Sequence, residues 1–245
     1  MERPFIAWDG EGADVDGRHR YTLLAHVRGG AIENPKGLGT IECLEFMLNA
    51  DVSDGINIVY GGNYDVNMIL GDMPKDLLRT LYDTGKVYWR EYRIEWRPGK
   101  QFSVKHGERK FRLYDVLPFF QRPFVTACDE YLGTEWEYRD QIIAGKKRRG
   151  TFTAEESEYV KEYNSAELRL LVRLASELRD RLNRVNLPEI NEGIRLTRWD
   201  GPGAIATCLF QKYGVKKALG SVPEEVARAA RHGYAGGRFE IIRQG

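Results

Sequence analysis

A mixed α/β fold, one central sheet flanked by helices, is what this 245-residue sequence predicts, and three observations predict it. Strand-like and helix-like segments alternate through the first third of the chain. From Val87 to Leu113 the apolar period changes to two, as antiparallel strands require. A long amphipathic helix then spans 154–185. Alternation followed by a meander gives a mixed sheet with helices packed on it. The composition agrees: 42% hydrophobic and 30% charged residues can bury a sizeable core, which excludes a disordered chain. No apolar run approaches the roughly 18 residues of a membrane span. The start, MERPFIAWDGEG, is not a signal peptide, because a carboxylate interrupts its short apolar run. Cys43, Cys128 and Cys208 stand far apart with no C-x-x-C spacing, which fits a reducing cytoplasm and neither a disulfide framework nor a zinc site.

The elements follow in order. Phe5–Trp8 is a short strand broken by Asp9-Gly10-Glu11-Gly12, and Asp16-Gly17 is a turn into a second strand over Tyr21–Val27. Thr40 caps a helix carrying Leu44, Phe46, Met47 and Leu48. Ile56–Tyr60 is a strand ending at Gly61-Gly62, with a helix over Tyr64–Leu70 and another over Lys75–Tyr82 behind Pro74. Turn signals at Pro98-Gly99 and His106-Gly107 divide the 87–113 region into three strands, the last ending at Asp115. A helical region opens near Phe119, and the basic run from Gly145 to Gly150 interrupts it. Thr153 with Glu156 forms a capping box for the long helix, which Pro188 ends. Gly201-Pro202 begins a further helix after a boundary near 186–195.

Three carboxylate features carry chemistry. Asp9 and Glu11 are two apart at the end of a strand, so they project to one side of it. Two adjacent carboxylates repel unless a cation lies between them, and hard divalent cations prefer oxygen ligands. The pair on its own equally suits a charged turn. Asp65, in Tyr64-Asp65, falls at a helix N-terminus, where metal ligation and helix capping both suit a carboxylate. Glu167 lies four residues after Tyr163 and shares its helix face, the apolar stripe from Val160 to Leu178. A glutamate in such a stripe is paired, protonated or bound to metal, or it lies at the flank and reaches water.

The order of these features resembles the three motifs of the DEDD 3′–5′ exonucleases. The chain resembles more specifically the proofreading exonuclease domain of family B DNA polymerases, in their protein-primed, plasmid- and phage-like branch. The segment Leu113-Tyr-Asp-Val-Leu-Pro-Phe-Phe120 is similar to the part of that domain which helps hold single-stranded primer. His232-Gly-Tyr-Ala-Gly-Gly-Arg-Phe239 is similar to the Y-x-G-G linker toward the polymerase module. The resemblance implies a ribonuclease H-like fold and two Mg²⁺ or Mn²⁺ ions held by Asp9, Glu11, Asp65 and Glu167. It implies that Tyr163 orients the attacking water and that Tyr64 stacks on or wedges against the terminal nucleotide. Leu117, Phe119, Lys146, Tyr234, Gly236 and Gly237 are then the remaining nucleic-acid contacts. The sequence departs from the family at Glu167, where Asp is usual, at Gly61 in place of Asn, and at Val116 in place of Ser or Thr. The absence of histidine between Ala127 and Leu187 favours the tyrosine type of this class.

The expected organisation is an exonuclease domain over 1–190 and a basic connector over 191–245 leading toward a polymerase palm. No D-x-x-S-L-Y-P-like or Y-x-D-T-D-like segment occurs, so no nucleotide polymerisation is expected of this chain. The implied partners are single-stranded DNA or a primer terminus, the polymerase module, and a terminal protein, with no membrane. Residues 195–245 hold nine Lys/Arg against four Asp/Glu, so the near-neutral total hides an acidic part and a basic one. An exoribonuclease with the same acids, and an inactive single-strand binding module, are the alternative readings.

Overall fold

The computed structural model describes residues 2–148, 150–189 and 191–233. Its strands are β1 (Phe5–Val15), β2 (Arg18–His26), β3 (Ala31–Glu33), β4 (Ile56–Val59), β5 (Lys86–Trp89), β6 (Tyr92–Arg97), β7 (Gln101–His106) and β8 (Arg109–Asp115). They form one eight-stranded sheet in the order β3-β2-β1-β4-β8-β7-β6-β5. β2 runs antiparallel to β1, whereas β4 pairs parallel with β1 and β8 parallel with β4. This parallel and antiparallel core, extended by the β5–β8 antiparallel meander, is the expected mixed α/β sheet.

Both faces are covered. Ile6, Trp8 and Leu24 pack with α1 (Thr40–Asn49), α2 (Asn63–Ile69) and α3 (Lys75–Thr84). Phe5, Ala7 and Ala25 pack on the other face with α4 (Leu117–Phe120), α5 (Phe124–Leu132), α6 (Arg139–Arg148) and α7 (Ser157–Arg184). The alternation of β1 decides the rest. Asp9 and Glu11 share the parity of Phe5 and Ala7, so the strand delivers them to the α7 side.

Four expectations need correction. β1 does not break at Asp9; it runs on to Val15, with a bulge between Glu11 and Gly12. Its glycines are sites of close approach, since a Cβ at Gly10 would lie 1.8 Å from the Tyr21 hydroxyl. The helix over 40–49 is capped by Gly39, whose N–H donates to the Glu42 carboxylate, and Thr40 instead exchanges hydrogen bonds with Asp72. The meander has four strands, because Arg90 and Glu91 turn the chain with φ of 46° and 67°. Non-glycine residues rarely take that conformation, so no turn signal marked it. Finally, α6 continues through Gly145 to Arg148. The Asp16-Gly17 turn, the Thr153–Glu156 capping box and the helix begun at Pro202 stand as expected.

Glu45 of α1 ties the meander down. It accepts from Tyr92 Oη at 2.5 Å and from Arg109 at 2.7 Å. Arg109 and Tyr92 hold its carboxyl down to about 2. A depressed carboxylate stabilises the fold above its unfolded value near 4.5 and loses that contribution as pH falls through about 2. Glu45→Gln is expected to flatten the loss of stability between those pH values, measured as denaturation midpoint against pH. An acid limb identical to that of the original protein would show that this cluster does not link stability to pH.

Candidate metal centre

The site forms where β1 passes under α7. Asp9 and Glu11 sit opposite Ala25 and Leu23 of β2, and the pairing of β1 with β2 holds their backbones on both sides of Gly10. Glu167 comes down from α7 onto the same spot. All three are buried, and each offers a carboxylate oxygen within 4.8 Å of the other two. Three carboxylates this close carry a repulsion that a divalent cation removes. The donor set, all oxygen and all anionic, suits Mg²⁺ or Mn²⁺ and suits no soft metal.

Neighbouring side chains fix the carboxylates. Tyr163, one helical turn before Glu167, donates its hydroxyl to Glu167 Oε2 at 2.5 Å. Lys146 of α6 donates to Glu167 Oε1 at 2.5 Å and sits 4.9 Å from the centre of the Phe124 ring. Asn164 Nδ2 donates to Asp9 Oδ2 at 3.2 Å. Glu167 therefore lies on the core-facing stripe rather than on its flank, with an ammonium as counter-charge.

Asp65 approaches from the other side of β1. The parallel pairing of β1 with β4 extends only to Ala7, so the Gly10 N–H is free of the ladder beyond it. Asp65 Oδ1 accepts that N–H at 3.2 Å and the Tyr21 hydroxyl at 3.0 Å. Burial and the Asp65 charge together push the Tyr21 phenol well above its usual range, so it stays a donor. Asp65 thus abuts the strand between Asp9 and Glu11 but is not one of the converging three.

Tyr64, the preceding residue, is 42% exposed. Its hydroxyl meets His19 Nε2 at 2.6 Å above Gly12, where a Cβ would lie within 2.5 Å of both side chains. Leu117 is half-buried against Gly61, and Phe119 packs on Trp199 with ring centres 5.8 Å apart. Tyr234, Gly236 and Gly237 lie outside the described residues.

No protein-family model and no curated protein matches this sequence. Among solved structures, Phi29 DNA polymerase complexed with primer-template DNA and incoming nucleotide substrates is similar at 13% identity and a TM-score of 0.47. The same polymerase complexed with single-stranded DNA gives 12% and 0.49. Both comparisons cover 97% of this chain and 40% of the polymerase, so the chain spans two-fifths of that protein's length.

Three contributors escaped sequence reasoning. Asn164 adjoins Tyr163 and is only 1% exposed on α7, a burial that its place beside the leucine stripe does not mark in the sequence. Asp115 ends β8 and accepts the N–H groups of Gly61, Gly62 and Leu117 at 2.9–3.1 Å. Its burial raises the carboxyl pKa, against the pull of those three donors. It shapes the turn that leads into α2. Gly145 is the third: a Cβ there would lie 2.3 Å from the Tyr163 ring.

Proposed function

We propose that this chain is a divalent-metal-dependent 3′–5′ exonuclease that shortens single-stranded or frayed DNA 3′ ends, the proofreading module of a family B DNA polymerase. The observation that carries the reading is the buried convergence of Asp9, Glu11 and Glu167 within 4.8 Å. These three, with Asp65 beside them, would hold two Mg²⁺ or Mn²⁺ ions. Such ions neutralise phosphate charge, activate water and stabilise a leaving 3′ oxygen.

The chain's own groups supply the rest. Tyr163 has a fixed hydroxyl but too little basicity at neutral pH to take a proton, so it orients the water. Lys146 braces the Glu167 carboxylate from the α6 side. The exposed Tyr64 ring offers a stacking surface that accepts any base. The domain division, 1–190 for the nuclease and 191–245 for a connector, belongs to the same proposal, as do the polymerase module and a terminal protein as partners.

Digestion of 5′-labelled single-stranded DNA with Mg²⁺ or Mn²⁺ tests this. A ladder shortened from the 3′ end is expected, and Asp65→Ala should erase it. An unchanged ladder in Asp65→Ala would mean the site is wrongly assigned. A matching RNA oligonucleotide separates the exoribonuclease reading, since the 2′-hydroxyl decides that preference.

A further inference from the structure

The acidic centre cannot itself draw in a nucleic acid, because its three carboxylates repel phosphate until cations fill it. Affinity for a strand must come from positive charge elsewhere. Beyond Pro118 lies a cleft of about 410 Å³ between the β6–β7 turn and α8 (Pro202–Lys212). Lys100, Arg195 and Arg198 line it, all exposed, against one carboxylate, Asp200. Asp200 is buried and pairs with Arg198, which fixes that guanidinium at the rim. Among the described residues, Lys100 and Arg195 have no carboxylate partner in hydrogen-bond contact. The first turn of α8, at Pro202, Gly203 and Ala204, also faces the cleft.

A relay of hydrogen bonds links the cleft to the segment that carries Tyr64 and Asp65. The Lys100 carbonyl accepts the Asp115 N–H at 2.9 Å, and the Asp115 carboxylate holds Gly61, Gly62 and Leu117. Those glycines lead into α2, which carries Tyr64 and Asp65. On the other side Gly201 (φ 111°) packs on Pro118, where a Cβ would lie 2.9 Å from the proline ring. A strand whose 3′ end lies at Tyr64 therefore meets Leu117 and Pro118 next and this cleft after them.

Resting on the exonuclease reading for the polarity of the strand, we propose that this cleft binds the sugar–phosphate backbone of single-stranded nucleic acid on the 5′ side of the terminal nucleotides. Lys100, Arg195 and Arg198 contact phosphates there and read no base, because backbone contacts carry position and not sequence.

The test is fluorescence anisotropy of labelled (dT)12 in EDTA, with Arg195→Glu, Gly203→Glu and, as a charge-matched control, Arg79→Glu on the exposed face of α3. Gly203 has open space around it, and an acid in a first helical turn stabilises a helix, so Gly203→Glu should unfold no earlier than the original protein. Each cleft variant is expected to weaken binding about tenfold, and Arg195→Glu to lower the salt slope by about one. The control should change Kd less than about twofold, and (U)12 should show the same pattern, because the shared backbone is what is bound. Failure of the original protein to bind, unchanged Kd in both cleft variants, or equal weakening by Arg79→Glu overturns the cleft, whatever a cleavage assay returns. Weakened binding in both cleft variants without divalent-dependent cleavage leaves the cleft standing and overturns the nuclease.

Discussion

Asp9→Asn is expected to lose divalent-dependent cleavage and, in EDTA, to unfold at a higher temperature than the original protein. The two effects share one cause. Asp9, Glu11 and Glu167 converge within 4.8 Å, and Lys146 pairs with Glu167. Without a cation the fold retains part of their mutual repulsion, as active sites commonly do. An asparagine keeps the shape of the side chain, and its carbonyl can accept the bond that Asn164 gives to Asp9. Removing one charge should therefore stabilise the metal-free fold by about 1 kcal/mol, roughly 2–4 °C in Tm for a chain of this size.

The same change removes a ligand. Metal-held charge stabilisation is worth several kcal/mol in a transition state, so losing about 3–4 kcal/mol slows cleavage roughly 10²–10³-fold. Thermal unfolding reads the binding separately from the chemistry. An ion at 100 times its Kd raises stability by about 2.7 kcal/mol, and that Mn²⁺-dependent rise should be present in the original protein and absent from Asp9→Asn. A Mn²⁺ response that survives the substitution would remove Asp9 from the ligand set. A lower Tm in EDTA would show that the three carboxylates are not in conflict.

The sheet was legible because its signals are local. Period-two alternation, the Asp16-Gly17 turn and the apolar stripe of the long helix each follow from residues near one another in the chain. The glycines were legible only as breaks. Gly10, Gly12 and Gly145 interrupt propensity, yet β1 and α6 continue through all three, because other side chains occupy the space a Cβ would need. Tyr21 lies 11 residues from Gly10, and Tyr163 lies 18 from Gly145, so neither approach has a local signature. The four-strand meander was hidden for a different reason: Arg90 and Glu91 take a conformation that glycine or asparagine usually marks.

The candidate site divides in the same way. Asp9 and Glu11 were legible as a pair on one strand face, and Tyr163 with Glu167 as a pair one turn apart. That the two pairs meet follows only from the packing of α7 on β1. Asn164 illustrates the limit. Its burial depends on which side of α7 faces β1 near the strand's end, and the leucine stripe places that side only to within a residue. The partial separation of Asp65 from the other acids also has a tertiary cause. β4 parts from β1 after Ala7, and the Gly10 N–H, left out of the ladder, captures the carboxylate.

Gly145→Ala gives the sharpest test of how the site is held. Two effects oppose each other. In a helix interior alanine is favoured over glycine by about 1 kcal/mol. Against that, the new methyl would stand 2.3–2.4 Å from two atoms of the Tyr163 ring, which is fully buried and cannot retreat without disturbing Phe152. Overpacking of this kind costs about 1–3 kcal/mol, so a net loss of stability is expected. The functional loss should be larger. The ring carries the hydroxyl that holds Glu167 Oε2, and Lys146, on the other oxygen, is the very next residue of α6. A misplacement of about 1 Å in such a group costs roughly 10²-fold in rate. The cycle with Tyr163→Ala separates the causes, since residues in contact are not additive. With the ring removed the clash disappears and only helix propensity remains, so Gly145→Ala should change sign and stabilise the Tyr163→Ala protein. If it destabilises both backgrounds equally, the glycine serves something other than the approach of Tyr163, and the close packing of α6 on α7 is not what positions Glu167.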